Sequence, residues 1–194
     1  MAQKISDERS KYAGILMIAA AVEIVISVLV AQHAYPNYSL MNNYISDLGV
    51  GSTSATFNTA IQLFGILLII TSLLLWKRHR YAAIGFALVG LGGIGVGTFP
   101  ETTGLAHIIS AMVTFSTVML LAMGFSRLFK GYMSYYSVVA GTVGLIVLVL
   151  FMLSLATGTS ITFGLGKGGV EEILFYDELL WALITGIYFA KGRL

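Results

Sequence analysis

The chain contains no cysteine, which excludes a disulfide, a thiolate nucleophile, a cysteine-ligated zinc and an iron–sulfur cluster. It is also poor in charge: Asp, Glu, Lys and Arg make up 10% of its residues, against about 25% in soluble domains. A soluble globular domain is therefore excluded. The strict apolar–polar alternation in segments of about ten residues that a membrane β-barrel requires is missing as well. What is present is apolar: 57% of residues are hydrophobic, and the mean hydropathy is +0.88. An apolar run of about 20 residues crosses the hydrocarbon core as a helix, which satisfies its own backbone groups. Six runs qualify: Tyr12 to Gln32, Ala55 to Trp76, Tyr81 to Phe99, Leu105 to Phe125, Val138 to Thr157 and Val170 to Ala190. The expected fold is an all-α polytopic membrane protein, a six-transmembrane-helix bundle filling residues 1–194 as one domain, with a short helical outer loop between helices 1 and 2. The first run is long, carries Glu23 and is followed by no small-x-small cleavage site, so it reads as a retained span and not as a signal peptide.

Basic residues are missing from the segment Tyr35 to Gly49 and from most of its side of the bilayer. Ten of the eleven lie on alternate connections: Lys4, Arg9 and Lys11, then Lys77, Arg78 and Arg80, then Arg127 and Lys130, and finally Lys191 and Arg193. Lys167 alone falls on the other side. The positive-inside rule places both termini in the cytoplasm of a cell-membrane protein. The 35–49 segment, ending in Ile45-Ser46-Asp47-Leu48-Gly49, then lies outside. It reads as a short helix from Ser39, the N-cap, to Leu48, stopped by Gly49.

With that orientation, Asp47, Glu101, Glu171 and Glu172 lie at the outer boundary. Three further carboxylates sit inside spans: Glu23 roughly 14 Å below the outer end, and Asp177 and Glu178 at about 10 to 12 Å. An ionised carboxylate at mid-membrane costs about 2.5 to 3.5 kcal/mol, so such groups face the bundle interior and find partners. No basic residue lies at that depth, leaving Gln62, Asn58, hydroxyls, water or a second carboxyl sharing a proton. Helical spacing draws these groups onto faces. Asn58 and Gln62 are four apart, Glu23 and Ser27 are four apart, and His107, Ser110, Thr114 and Thr117 run down one side of span four. Glu171 and Glu178 share a face with Thr185. Four polar stripes in the outer halves describe a ligand-holding or water-accessible cavity, although serine and threonine in membrane helices also serve simply as packing contacts.

Two glycine-rich stretches imitate nucleotide sites. Gly90-Leu91-Gly92-Gly93-Ile94-Gly95 matches a dinucleotide fingerprint but lies inside a span. Gly93 and Gly97 form a small-x-x-x-small pair suited to close helix packing and to a helix-mediated oligomer. Gly164-Leu165-Gly166-Lys167-Gly168-Gly169 lacks the full phosphate-loop pattern and reads as a flexible outer loop. A Ser46, His107 and Asp triad lacks a nucleophile elbow around Ser46. A hard or borderline cation would suit Asp47, His107, Glu101 and Glu171 or Glu172, but spacing alone supports no metal, and neither metal nor cofactor is expected. Tyr35, Tyr38 and Tyr44, like Tyr132, Tyr135 and Tyr136 on the opposite side, read as interfacial belt residues, and His33 as an interfacial histidine.

Tyr35, the run Tyr44-Ile45-Ser46-Asp47-Leu48-Gly49, Phe57-Asn58, Phe99-Pro100 and Gly104-Leu105-Ala106-His107 together resemble the membrane-protein family catalogued as domain of unknown function 998. The end, Gly169-Val170-Glu171-Glu172 with Trp181, resembles that family's last span, except that Glu172 stands where arginine is expected. The resemblance covers nearly the whole chain and implies a six-helix fold, without an established activity. The loop motif and His107 are also similar, more weakly, to the Frag1/DRAM/Sfk1 group, some of whose members act in lipid remodelling or organisation.

The leading expectation is an outward-facing polar, acidic cavity lined by Asn43, Ser46, Asp47, Asn58, Gln62, Glu101, His107, Glu171 and Glu178 that binds a lipid headgroup or a small polar ligand. Three alternatives stay open. In a membrane-embedded lipid-modifying enzyme, Asp47, His107 and Glu171 are the catalytic candidates. An ion- or proton-coupled transporter would use Glu23, Gln62, Asp177 and Glu178. A structural or assembly subunit would act through the glycines of span three. The lipid bilayer is the expected partner, and nucleic acid is not.

Overall fold

In the computed structural model, which describes residues 2–159, 161–162 and 164–193, the chain forms six long helices and three short 3-10 turns. The side chains of residues 1–7, Lys4 and Asp7 among them, lie outside the described set. The helices are α1 (Ala2–Ala34), α2 (Ser54–Leu75), α3 (Arg80–Thr98), α4 (Leu105–Phe125), α5 (Tyr132–Thr157) and α6 (Gly166–Ala190). All six are long and apolar enough to cross a membrane. No strand occurs among the described residues. Large apolar side chains stay exposed along the helices, among them Ile15, Ile26, Leu73, Leu120 and Val149. In water such a belt would aggregate, and in a bilayer it is the solvent-matched surface. The chain is an integral membrane protein with an all-helical, six-span fold.

Neighbours in sequence pack as neighbours in space, and α6 closes the ring against α1. The α2–α3 seam is especially close. Ideal Cβ atoms placed on Gly65 and Gly90 each meet the other residue's carbonyl, so these backbones touch as only glycines permit. Gly93 and Gly97 are buried against the same helix, facing Ile61 and Asn58. That face of α3 is filled by α2 of the same chain, so the close packing expected of these glycines is made within the chain. Between the helices lies an aromatic core: Phe125 meets Trp181, Phe86 and Phe189 edge-on, with ring centroids 5.6, 6.2 and 5.9 Å apart.

Four elements differ from the sequence-based expectation, two of them only in that α1 and α5 start earlier, at Ala2 and Tyr132, than the apolar runs at Tyr12 and Val138. The helix α6 begins at Gly166, not Val170, because Gly166 and Gly168 let the strap at residues 40–43 sit directly on their backbone: a Cβ on either would strike Met41 or Asn43 carbonyls, and the Gly168 N–H donates to the Met41 carbonyl at 3.1 Å. The expected Ser39–Leu48 helix shrinks to one 3-10 turn, Ser46–Gly49. Its upstream half is built from side-chain bonds that compete with helical ones. The Ser39 hydroxyl accepts from Asn42 Nδ2 at 3.0 Å instead of capping a helix, and Asn43 Oδ1 accepts from the Ser39 N–H at 3.1 Å.

Candidate functional site

The strap formed by residues 35–49 crosses one end of the ring and is tied down at several points. Asp47 Oδ2 accepts from the Tyr44 N–H at 3.1 Å and from Asn43 Nδ2 at 3.0 Å, which fixes the entry to the 3-10 turn. Beyond the turn, the Thr53 hydroxyl donates to the Leu48 carbonyl at 2.8 Å and Asn58 Nδ2 donates to the Gly49 carbonyl at 3.0 Å. In the middle, Glu171 of α6 accepts from the Ile45 N–H at 2.6 Å. A bond of this length is short for an N–H donor and an oxygen acceptor. It sets the height of Ser46 above the bundle.

Beneath the strap lie two cavities that share a wall made of Ser46, His107, Ala111, Phe115 and Glu171. One, of about 280 Å³, runs between α4, α5 and α6 and is walled by Met112, Leu148, Phe151, Met152, Leu155 and Leu174, with Glu101 and Tyr44 at its mouth. It is just below the ~300–1,000 Å³ usual for small-molecule pockets. The other, of about 60 Å³, sinks into the core toward Glu178, over a floor of Leu68, Phe86, Val118 and Trp181. It has room for a few waters.

The polar end common to both cavities has a definite chemistry. His107 is buried, and its Nδ1 lies 2.8 Å from the Phe99 carbonyl, an acceptor only. Nδ1 must therefore carry the proton, which leaves the neutral ring an acceptor at Nε2. Glu101, on the turn Glu101–Thr103 between α3 and α4, stands beside Asp47 and Ser46. Burial, the carboxyl–carboxyl bond and the charge of Asp47 push Glu101 up to about 7, against the opposing pull of Lys167 and of the Ser46 hydroxyl. Near neutral pH this carboxyl gains and loses a proton readily, the property of a group suited to acid–base work. Lys167 sits with its ammonium 4.3 Å from the centroid of the Tyr44 ring. Among the described residues no hydrogen bond joins Ser46 to His107, and no group of three or more His, Asp or Glu residues is arranged to hold a metal ion.

The structure therefore brings Ser46, Asp47, Glu101, His107 and Glu171 together, with Glu178 below. Asn43 serves the strap by orienting Asp47. Asn58 anchors Gly49, and Gln62 donates to Thr98 at 3.3 Å on the α2–α3 seam, so neither lines the two cavities. Glu23 lies in a separate groove with Ser27, Thr56 and Thr59, where Ser27 donates to it at 3.1 Å. Asp177 turns toward α5 and accepts from the Tyr136 hydroxyl at 3.1 Å. With α6 starting at Gly166, Asp177 lies about 16 Å along the helix, deeper than the shorter span implied. The hydroxyl stripe of α4 packs on the α3 glycines: Ser110 and Thr114 stand against Gly92 and Gly95 while donating to carbonyls of their own helix.

Sequence reasoning missed two features. Glu172, expected at the outer acidic cluster, is buried on the other side of α6, where Gln32 Nε2 donates to it at 2.6 Å and the Tyr38 hydroxyl at 3.1 Å. Burial foremost, and Glu172 beside it, hold the Tyr38 phenol above its ordinary range, so it remains a donor. Neutral donors thus satisfy the carboxyl, and Tyr38, like Tyr44 and Tyr136, is no belt residue. Tyr132 and Tyr135 are exposed, as a belt requires. The second omission is the apolar wall of α5, whose Leu148, Phe151 and Met152 carry no motif at all.

No curated protein and no solved structure matches the chain. A family model described as "Protein of unknown function (DUF998)" matches residues 17–188, nearly the whole of it. This six-span membrane protein belongs to the DUF998 family.

Proposed function

We propose that this protein holds a single-chain amphiphile at the outer face of the cell membrane, its head under the strap and its chain between α4, α5 and α6. The outward orientation is supported by the basic residues, ten of which fall in the two terminal segments and the connections on the other side of the spans. The observation that carries the reading is the polarity of the larger cavity. Its upper end presents Ser46, Glu101, His107 and Glu171, while Met112, Phe115, Leu148, Phe151 and Met152 line the way toward mid-membrane. A small polar molecule would leave that apolar wall unfilled, and a hydrocarbon alone would leave the carboxyls unpaired at a cost of about 1–3 kcal/mol each. The test is Ala111→Trp, which fills the wall common to both cavities. Native mass spectrometry of protein extracted in mild detergent is expected to show a co-purifying amphiphile with the unsubstituted chain and its loss with the variant. Equal retention of the same mass by both would overturn the reading.

A second reading has one observation in its favour. His107 Nε2 is free and the Glu101 carboxyl titrates near 7 on the same wall, which supports membrane-embedded acid–base chemistry on the bound amphiphile. Glu101 and His107 would exchange the proton, with Asp47 orienting Glu101.

A further inference from the structure

We infer that the head group taken at this site is a protonated amine carried on one alkyl chain, rather than a phosphate or a carboxylate. The inference rests on the pocket reading above and adds the chemical class of the ligand. The case comes from an inventory of donors and acceptors. At the polar end, His107 presents Nε2 as an acceptor because its Nδ1 proton is committed to the Phe99 carbonyl. Glu171 presents a carboxyl with one oxygen held by the Ile45 N–H. Glu101 presents a carboxyl, with the Ser46 hydroxyl turned toward it. Among the described residues no Arg, Lys, Asn or Gln lines either cavity. A phosphate is recognised by charged or amide donors, and here it would meet two carboxyls. The partial positive charge of the α4 N-terminus, roughly half a unit, is outweighed by them. Lys167, the cation that acts on Glu101, is engaged over the Tyr44 ring and is not part of the lining.

A second observation points the same way. In the deeper cavity, Oε1 of Glu178 is enclosed and has no hydrogen-bond donor among the described residues. A buried acceptor without a donor costs about 1–3 kcal/mol, and this one faces the cavity that shares its wall with the pocket. An ammonium group supplies three donors and a positive charge, enough to reach the unpartnered Glu178 or the lone pairs that Glu101 and Glu171 keep beyond their present contacts. The carboxyls then act as counter-ions in a low-dielectric setting where such attraction is strongest.

The groups facing Glu101 are Asp47 and Ser46 from the strap, with Tyr44 beside them, Lys167 and Glu171 from α6, and His107 from α4. Below about pH 7 Glu101 is neutral. Amine affinity therefore rises as pH is raised through that value, and the affinity of an uncharged ligand does not.

The experiment is calorimetric titration of the full-length protein, in a non-ionic detergent, with dodecylamine, dodecanol and dodecyl phosphate. The expected order is amine tightest, by at least about tenfold over the alcohol, with the phosphate weakest. Glu171→Gln keeps an oxygen for the Ile45 N–H and is expected to shrink the preference of the site for the amine over the alcohol at least several-fold. Glu101→Gln is expected to weaken the pH dependence of amine binding around pH 7 and serves if the first variant fails to fold. Equal binding of the three ligands, or preference for the phosphate, would overturn the amine assignment and leave the pocket reading standing. Failure of all three to bind would overturn both.

Discussion

Replacing Gly97 with alanine tests whether the strap end of the bundle depends on backbone contact between α2 and α3. A Cβ at Gly97 would lie 2.5 Å from the Asn58 carbonyl oxygen and 2.7 Å from Gln62 Cγ. Ordinary carbon–oxygen contact begins at about 3.3 Å, so the helices must part by the better part of an ångström. Overpacking of this kind costs about 1–3 kcal/mol. Gly93, one turn earlier on the same face, is the matched control, because its nearest neighbour, the Ile61 carbonyl, stands 3.3 Å away. Both substitutions carry the same gain in helix propensity, about 1 kcal/mol, and the same change in the unfolded chain, so these cancel in the comparison. What remains is a difference of about 2 kcal/mol, or roughly 4–8 °C in Tm for a chain of this size. Differential scanning fluorimetry of the two variants in detergent is expected to show Gly97→Ala melting lower by that amount. The Asn58 bond to Gly49 leads from this seam to the strap, so Gly97→Ala is also expected to weaken amphiphile binding. Equal melting temperatures for the two variants would refute the backbone contact.

Gln32→Ala leaves Glu172 with the Tyr38 hydroxyl as its remaining donor and is expected to destabilise the protein by about 1–3 kcal/mol, read as a lower Tm; an unchanged Tm would remove Gln32 from the account. For Glu101, the folded-state pKa of about 7 lies above the ordinary carboxyl range, so the stability contributed by its proton is fully present at acid pH and lost as pH rises through 7. After discounting for its partial exposure, this amounts to about 1 kcal/mol. Infrared titration of the protonated carboxyl is expected to show a loss near pH 7 that moves lower in Asp47→Asn, and a band unaffected by that substitution would exclude the pair. Because the native chain lacks cysteine, Ser52→Cys and Lys77→Cys, both at exposed positions, each introduce a unique thiol. The first is expected to react with an impermeant reagent on intact cells and the second only after lysis; the reverse pattern would invert the orientation.

The six spans were legible because length and hydropathy alone specify a transmembrane helix, and the boundaries of α2, α3 and α4 fall within a residue or two of the apolar runs. Rotation about each helix axis was far less so. In a bilayer the face toward lipid and the face toward the core are both apolar, so periodicity does not reveal that Phe151 and Met152 face α4 and α6, or that Glu23 leaves the interior. Adjacent carboxyls expose the limit most clearly. Glu171 and Glu172 read as one acidic cluster, as do Asp177 and Glu178, yet a step of about 100° per residue sends Glu171 and Glu178 to the cavities, Glu172 to Gln32 and Tyr38, and Asp177 to Tyr136. The start of α6 was hidden because four glycines in six residues suggest a loop, whereas here they let the strap approach. The convergence of Ser46, Glu101, His107 and Glu171 follows from the alternation of spans, which puts all four at one end of the bundle.

The most direct test of the central claim is photo-crosslinking with a dodecylamine whose chain carries a diazirine, followed by mass-spectrometric mapping of the labelled residues in nanodiscs. An amphiphile seated between α4, α5 and α6 is predicted to label Met112, Phe151 or Met152, and to stop doing so in Ala111→Trp. Labelling spread over the lipid-exposed faces, such as Ile15, Ile26 and Leu73, and indifferent to that substitution, would contradict the pocket.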